Sequence, residues 1–93
     1  MALLIKTNGE EITVSPVDGR KFTLKEYQTF VGGYIEHIRL GTNRHMLLDE
    51  EGKLKNKPIN ELATELGILA GIEYNDYIVG DVLVLSNEEW EME

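Results

Sequence analysis

Val82-Leu83-Val84-Leu85, preceded by Tyr77-Ile78-Val79, has the strongest preference for extended backbone in the chain, and it constrains the fold more than any other feature. β-branched and aromatic side chains suit a pleated surface, so the segment is expected to form a central strand, with Gly80-Asp81 as a bulge or tight bend between its halves. The rest of the chain must supply the strands that flank it.

Hairpin signals do so. Leu3 and Ile5 on one side and Ile12 and Val14 on the other flank Asn8-Gly9, a dipeptide that tolerates positive φ and favours a tight turn. Asp18-Gly19 turns the chain after Pro16. Thr23-Leu24-Lys25-Glu26 then has the form of a capping box, which predicts a helix beginning at Leu24 with Leu24, Tyr27, Phe30 and Val31 on one face. Gly32-Gly33 is expected to end it. From Tyr34 the period is two: Tyr34, Glu36, Ile38 and Leu40 project one way, and Ile35, His37 and Arg39 the other. Gly41-Thr42-Asn43 turns into a strand from Arg44 to Asp49, and Glu50-Glu51-Gly52 into Lys53-Leu54-Lys55, a meander. A second short helix carries Ile59, Leu62, Ala63 and Leu66 on one stripe and is expected to stop at Gly67, while Ile68–Ile72 fits either an extra turn or a buried connector. The expectation is one domain over residues 1–93, an α+β fold: a small, mainly antiparallel sheet of about five or six strands with two short helices packed on one face.

At 93 residues with 42% hydrophobic and 28% charged side chains, the chain can bury one modest core. It contains no cysteine, which removes disulfides and thiolate chemistry and points to a cytoplasmic setting, in the host cell if the protein is phage-encoded. The apolar start, Met1 to Ile5, is too short for a signal sequence or a membrane span and is expected to be a strand. Seventeen acidic against nine basic residues give a net charge of -8, which disfavours direct nucleic-acid binding and suits either solubility or a basic protein partner. The glutamate-rich end, residues 87–93, is expected to be solvated unless Trp90 docks.

Catalytic chemistry is hard to find. His37 and His45 are expected to be ordinary surface imidazoles, the 49–55 segment places lysines where a calcium loop needs oxygen ligands, and neither Ser15 nor Ser86 sits in a nucleophile elbow. No metal, cofactor or enzymatic activity is expected. Binding is better represented: Gly32 and Gly33 can expose backbone donors beside a stacking Tyr34, although a helix cap explains them too, and Arg39 and Arg44 flank one turn and so can meet across a hairpin. Lys53, Lys55 and Lys57 alternate along an extended face and either extend that basic patch or guard an edge.

Three stretches resemble a family of small phage and bacterial proteins known only as a domain of unknown function: Val31-Gly32-Gly33-Tyr34-Ile35-Glu36, Asp49-Glu50-Glu51-Gly52-Lys53-Leu54 leading to Pro58-Ile59-Asn60-Glu61-Leu62-Ala63-Thr64, and Asp76-Tyr77-Ile78-Val79-Gly80-Asp81-Val82-Leu83-Val84. The resemblance covers residues 22–86. It implies a phage or mobile-element origin, a setting in which small domains counter host defence. The function expected on that basis is non-catalytic sequestration of a small anionic nucleotide signal by a homo-oligomer, with Gly32 and Gly33 donating, Tyr34 stacking, Asn60 reading polar edges, and Arg39 and Arg44 holding phosphate. The alternative is an acidic inhibitor or DNA mimic that blocks a basic host protein through Glu10, Glu11, Glu50, Glu51 and the acidic end.

Overall fold

A computed structural model describes residues 2–90. Along them run β1 (Ala2–Ile5), β2 (Glu11–Val14), α1 (Leu24–Val31), β3 (Ile35–Leu40), β4 (Arg44–Asp49), α2 (Glu61–Leu69) and β5 (Val82–Ser86). The strands form one sheet in the order β2-β1-β5-β4-β3, with every neighbouring pair antiparallel. Two hairpins, β1–β2 and β3–β4, are thus joined by β5, the last strand in sequence and the central one in space. The α+β expectation holds, with five strands.

The registers fix what each face carries. Leu4, Leu83 and Leu47 lie in one row across β1, β5 and β4, while Leu3, Val84, Met46 and Ile38 lie in another on the opposite face. Tyr27 and Val31 of α1 pack with Leu47, Leu83 and Leu85, and Ala63 of α2 packs with Met46, Leu48, Val82 and Val84. The helices therefore cover opposite faces, which corrects the expectation of two helices on one face. Successive strand residues point to opposite sides, so a strand as continuously apolar as β5 requires a cover on each.

Local sequence explains the helix ends. Thr23 and Glu26 form the capping box at the start of α1, and Gly32 ends it at φ +83°, a left-handed conformation that costs glycine little. In α2, Gly67 does not stop the helix as expected; it lies within it, and the missing side chain makes room for Ile72, whose Cδ1 would sit 2.8 Å from an added Cβ. The stop is Gly71 at φ +108°, where the amides of Ile72 and Gly71 donate to the carbonyls of Gly67 and Ile68. Ile59 lies outside the helix, more than half exposed, and pairs with Val79 in an isolated bridge.

Two further expectations change. Lys53-Leu54-Lys55 belongs to a run of turns between β4 and α2, not to a strand, so the meander ends with β4. At the other end, Trp90 docks: its ring lies 4.6 Å from His37, 5.7 Å from His45 and 5.9 Å from Tyr27, centroid to centroid. The Tyr27 hydroxyl donates to the Glu89 carbonyl, which ties the segment after β5 to the α1 face. The remainder of the acidic end, 91–93, lies outside the described residues.

Candidate functional site

Asp49 ends β4 with its side chain fully buried beneath the C-terminus of α1. Its carboxylate takes Lys55 Nζ at 2.8 Å, Lys57 Nζ at 2.7 Å and the Glu51 amide at 2.9 Å. Burial pushes its pKa up, but the hydrogen bonds from Lys55, Lys57 and Glu51 outweigh burial and hold it at about 2 against an ordinary 3.8. The same lysines donate to the α1 end: Lys57 to the Val31 carbonyl at 2.7 Å, Lys55 to the Gly32 carbonyl at 3.1 Å. The last turn of α1 contains no basic residue, so the turn segment supplies the cations its carbonyls favour.

Gly32 and Gly33 serve this node. Their amides both donate to the Gln28 carbonyl, at 2.8 and 3.1 Å, so they are a helix cap and not free donors. A Cβ on Gly33 would come within 2.5 Å of Lys55 Nζ and 2.7 Å of Asp49 Oδ1. Lys55 and Lys57 do not form an exposed basic face with Lys53, because a buried carboxylate holds both of them.

The other expected ligand residues do not converge. Asn60 is 1% exposed: its Oδ1 accepts from the Ala63 amide and caps α2, while its Nδ2 donates to the carbonyls of Ile5 and Gly80. An amide committed in this way cannot read a ligand. Arg39 lies opposite His45, and Arg44 opposite Leu40, so the two arginines occupy adjacent cross-strand pairs and point to opposite faces of the sheet. They do not meet across the hairpin. Arg44 instead lines an open groove of about 640 Å³ with Arg20, Thr13, Ser86, Glu88 and Glu89. Tyr34 is 67% exposed beside the glycine cap, at the far end of β3 from Arg39.

His37 is at the surface as expected, but His45 is buried at 3% exposure, and the two are joined in one hydrogen-bonded chain. The Asn87 amide nitrogen donates to the Thr42 carbonyl, which leaves its Oδ1 to accept from His45 Nε2. His45 Nδ1 is then the acceptor for His37 Nε2 at 2.7 Å. Burial, then the neighbouring His45 and Arg39, lowers the His37 pKa. Trp90 stacks over the pair, so its role is packing; among the described residues no cluster of metal-ligating side chains is placed to hold a metal ion.

A different constellation forms on the α2 side of the sheet, where β3, the turns after β4 and the segment after α2 enclose a cleft of about 250 Å³. Ile38, Leu48, Ile72 and Ile78 give it an apolar floor, and Glu36, Glu50, Asp76 and Tyr77 line it with polar groups. Lys53 sits there with Nζ 4.4 Å from the centre of the Tyr77 ring and hydrogen-bonded to Asp76 Oδ1, which also accepts from the Tyr77 amide. That bond, with smaller contributions from Tyr77 and Glu36, raises the Lys53 pKa; Lys53 and then the Tyr77 amide lower that of Asp76. Leu54, which also lines the cleft, is 82% exposed, and Tyr74, two residues before Asp76, is 88% exposed. Sequence reasoning missed this site because its members come from three separate segments; the only local signal was Lys53, assigned to a basic stripe.

A family model for a domain of unknown function, DUF3846, matches residues 1–92. No curated protein matches the chain, and no solved structure does. Among the described residues no helix is long and apolar enough to cross a membrane.

Proposed function

We propose that this chain, which belongs to the DUF3846 family, is a non-catalytic binding protein that engages a basic protein partner through the surface around the Tyr77 cleft. The observation that carries this reading is the alternation of exposed apolar or aromatic side chains with carboxylates on one surface: Leu54 and Tyr77 beside Glu36, Glu50 and Asp76. Exposed apolar groups rimmed by an excess of carboxylates, here Glu36, Glu50 and Asp76 against the single Lys53, favour a basic partner: the apolar groups contribute desolvation and the rim contributes steering and selectivity. The net charge of -8 extends the attraction beyond the contact surface. This is the acidic-inhibitor alternative, narrowed from Glu10, Glu11, Glu50, Glu51 and the C-terminal end to the cleft that Glu50 lines. The counter-defence setting implied by the family resemblance makes a basic host defence protein the partner proposed.

The test is binding of the purified protein to peptides in which arginine alternates with leucine, measured by fluorescence anisotropy from 50 to 500 mM salt. Saturable binding that weakens with salt and drops with the double variant Glu36→Gln/Glu50→Gln supports the reading. Binding that ignores both the salt and the variant defeats it.

Nucleotide sequestration keeps one specific support, the groove that holds Arg20 and Arg44 together. Its discriminating experiment is a thermal-shift screen against cyclic and ADP-ribose-type nucleotides. A ligand at 100 times its Kd stabilises by about 2.7 kcal/mol, and in this reading Arg44→Ala would abolish that shift while Glu36→Gln would leave it.

A further inference from the structure

We infer that the Tyr77 cleft is an anchor for one cationic side chain of a basic partner, and that Lys53 is an internal occupant which the partner displaces. The inference rests on the protein-binding reading above and assigns that surface its central contact.

Lys53 shows what the cleft accepts. Its ammonium lies 4.4 Å from the Tyr77 ring centre, well within the range of a cation–π contact, while Asp76 takes a direct hydrogen bond and Glu36 adds its field. An aromatic face, a carboxylate and an apolar floor are the three elements that bind the head and stem of lysine or arginine. The volume exceeds what this occupant uses: about 250 Å³ remains open, and Glu50 lines it without being the partner of Lys53 in that ion pair.

Lys53 is also easily displaced. Its side chain and that of Asp76 are 49% and 45% exposed, and exposed ion pairs contribute little to stability. Lys55 and Lys57 differ from it, because their carboxylate is fully buried and the end of α1 depends on them. Of the three lysines in the turn segment, Lys53 alone can leave at small cost. An arginine from a partner gains where Lys53 does not, since its planar fork spans two carboxylates and stacks on the ring. Lys53 then swings into solvent, and its presence reduces the apparent affinity for any cation that uses the site.

The experiment titrates the whole protein with n-butylguanidinium, and with n-butylurea as its uncharged counterpart, while following backbone amide resonances by NMR. The expected result is a localised shift at Tyr77, Asp76 and Glu36 with the guanidinium only. Lys53→Met should tighten it about three- to tenfold. Lys25→Met, which makes the same charge change on α1, should leave it unaltered, and Asp76→Asn or Tyr77→Ala should abolish it. Equal shifts with the urea, no shift at these residues, or the same affinity in Lys53→Met and wild type would overturn the inference. The two proposals fail separately. Arginine-leucine peptides that bind with full affinity to Tyr77→Ala defeat the anchor and leave the protein-binding reading standing. Guanidinium binding in the cleft without peptide binding does the reverse.

Discussion

The Asp49 carboxylate is where single-residue changes will be felt most, because three donors from a turn segment and the end of a helix depend on it. Its folded-state pKa of about 2 lies below the ordinary 3.8, so the unfolded chain binds the proton more readily. The resulting stabilisation, on the order of 2 kcal/mol, is fully present above pH 3.8 and is lost as pH falls through about 2. Urea unfolding of wild type and Asp49→Asn at pH 7 and pH 2 should therefore show a gap at neutral pH that narrows in acid; a constant gap would mean that Asp49 acts through packing alone. Gly33→Ala tests the same node from its other side. The added methyl must displace Lys55 or Asp49, and we expect a loss of about 1–3 kcal/mol, whereas alanine at Gly41 meets no neighbouring atom and carries only its positive-φ strain. Sequence indicated the glycine pair as a helix stop. It could not indicate the node, because Asp49, Lys55 and Lys57 lie eighteen to twenty-six positions from the helix end they complete.

At the scale of elements, one buried side chain makes three hydrogen bonds at the start of α2. Asn60 caps it and also ties it to β1 and to the turn before β5, with both amide hydrogens and the amide oxygen engaged. Asn60→Ala should cost about 1–3 kcal/mol in chemical denaturation. Asn60→Asp keeps the cap but turns a donor into an anion facing two carbonyls, and should cost at least as much; wild-type stability in Asp would contradict the three-way role. The segment after β5 is held by aromatic stacking on the His37–His45 pair. Because the His37 pKa is lowered, folding favours its neutral ring. That contribution is complete above 6.5 and declines as pH falls through the lower folded-state value. Trp90, the only tryptophan, reports it directly: its emission should titrate with a midpoint below 6.5 and lose that step in His37→Ala. A midpoint at or above 6.5 would show that the ring is not held neutral. The capping box was legible in sequence because its residues are three apart. Asn60 was not, because its two carbonyl partners lie twenty and fifty-five residues away.

For the whole molecule, β5 is the strand on which the others converge. It pairs with β1 and β4, its residues Val82 to Leu85 are buried, and it contributes to the cores under both helices. Amide hydrogen exchange should accordingly be slowest in β5 and β4 and fastest in β2, whose outer edge is unpaired and whose residues are largely exposed; uniform protection across the sheet would contradict this order. Sequence by itself indicated β1 to β5, the hairpin turns, the α1 cap and the central place of Val82–Leu85, since each follows from backbone preferences acting over a few residues. It also extended strand to Lys53-Leu54-Lys55, which lies in turns, and to Tyr77-Ile78-Val79, of which only Val79 makes an isolated bridge. The unbroken apolar run of β5 also contained the signal for two covered faces, although the helix stripes alone did not say which face each would take. Tertiary structure alone decided that Asn60 is buried, that Arg39 and Arg44 diverge, that Trp90 docks, and that Glu36, Lys53 and Tyr77 share a cleft. Register and packing, set by the sum of contacts along the whole chain, fix those placements, and no local window of sequence contains that sum.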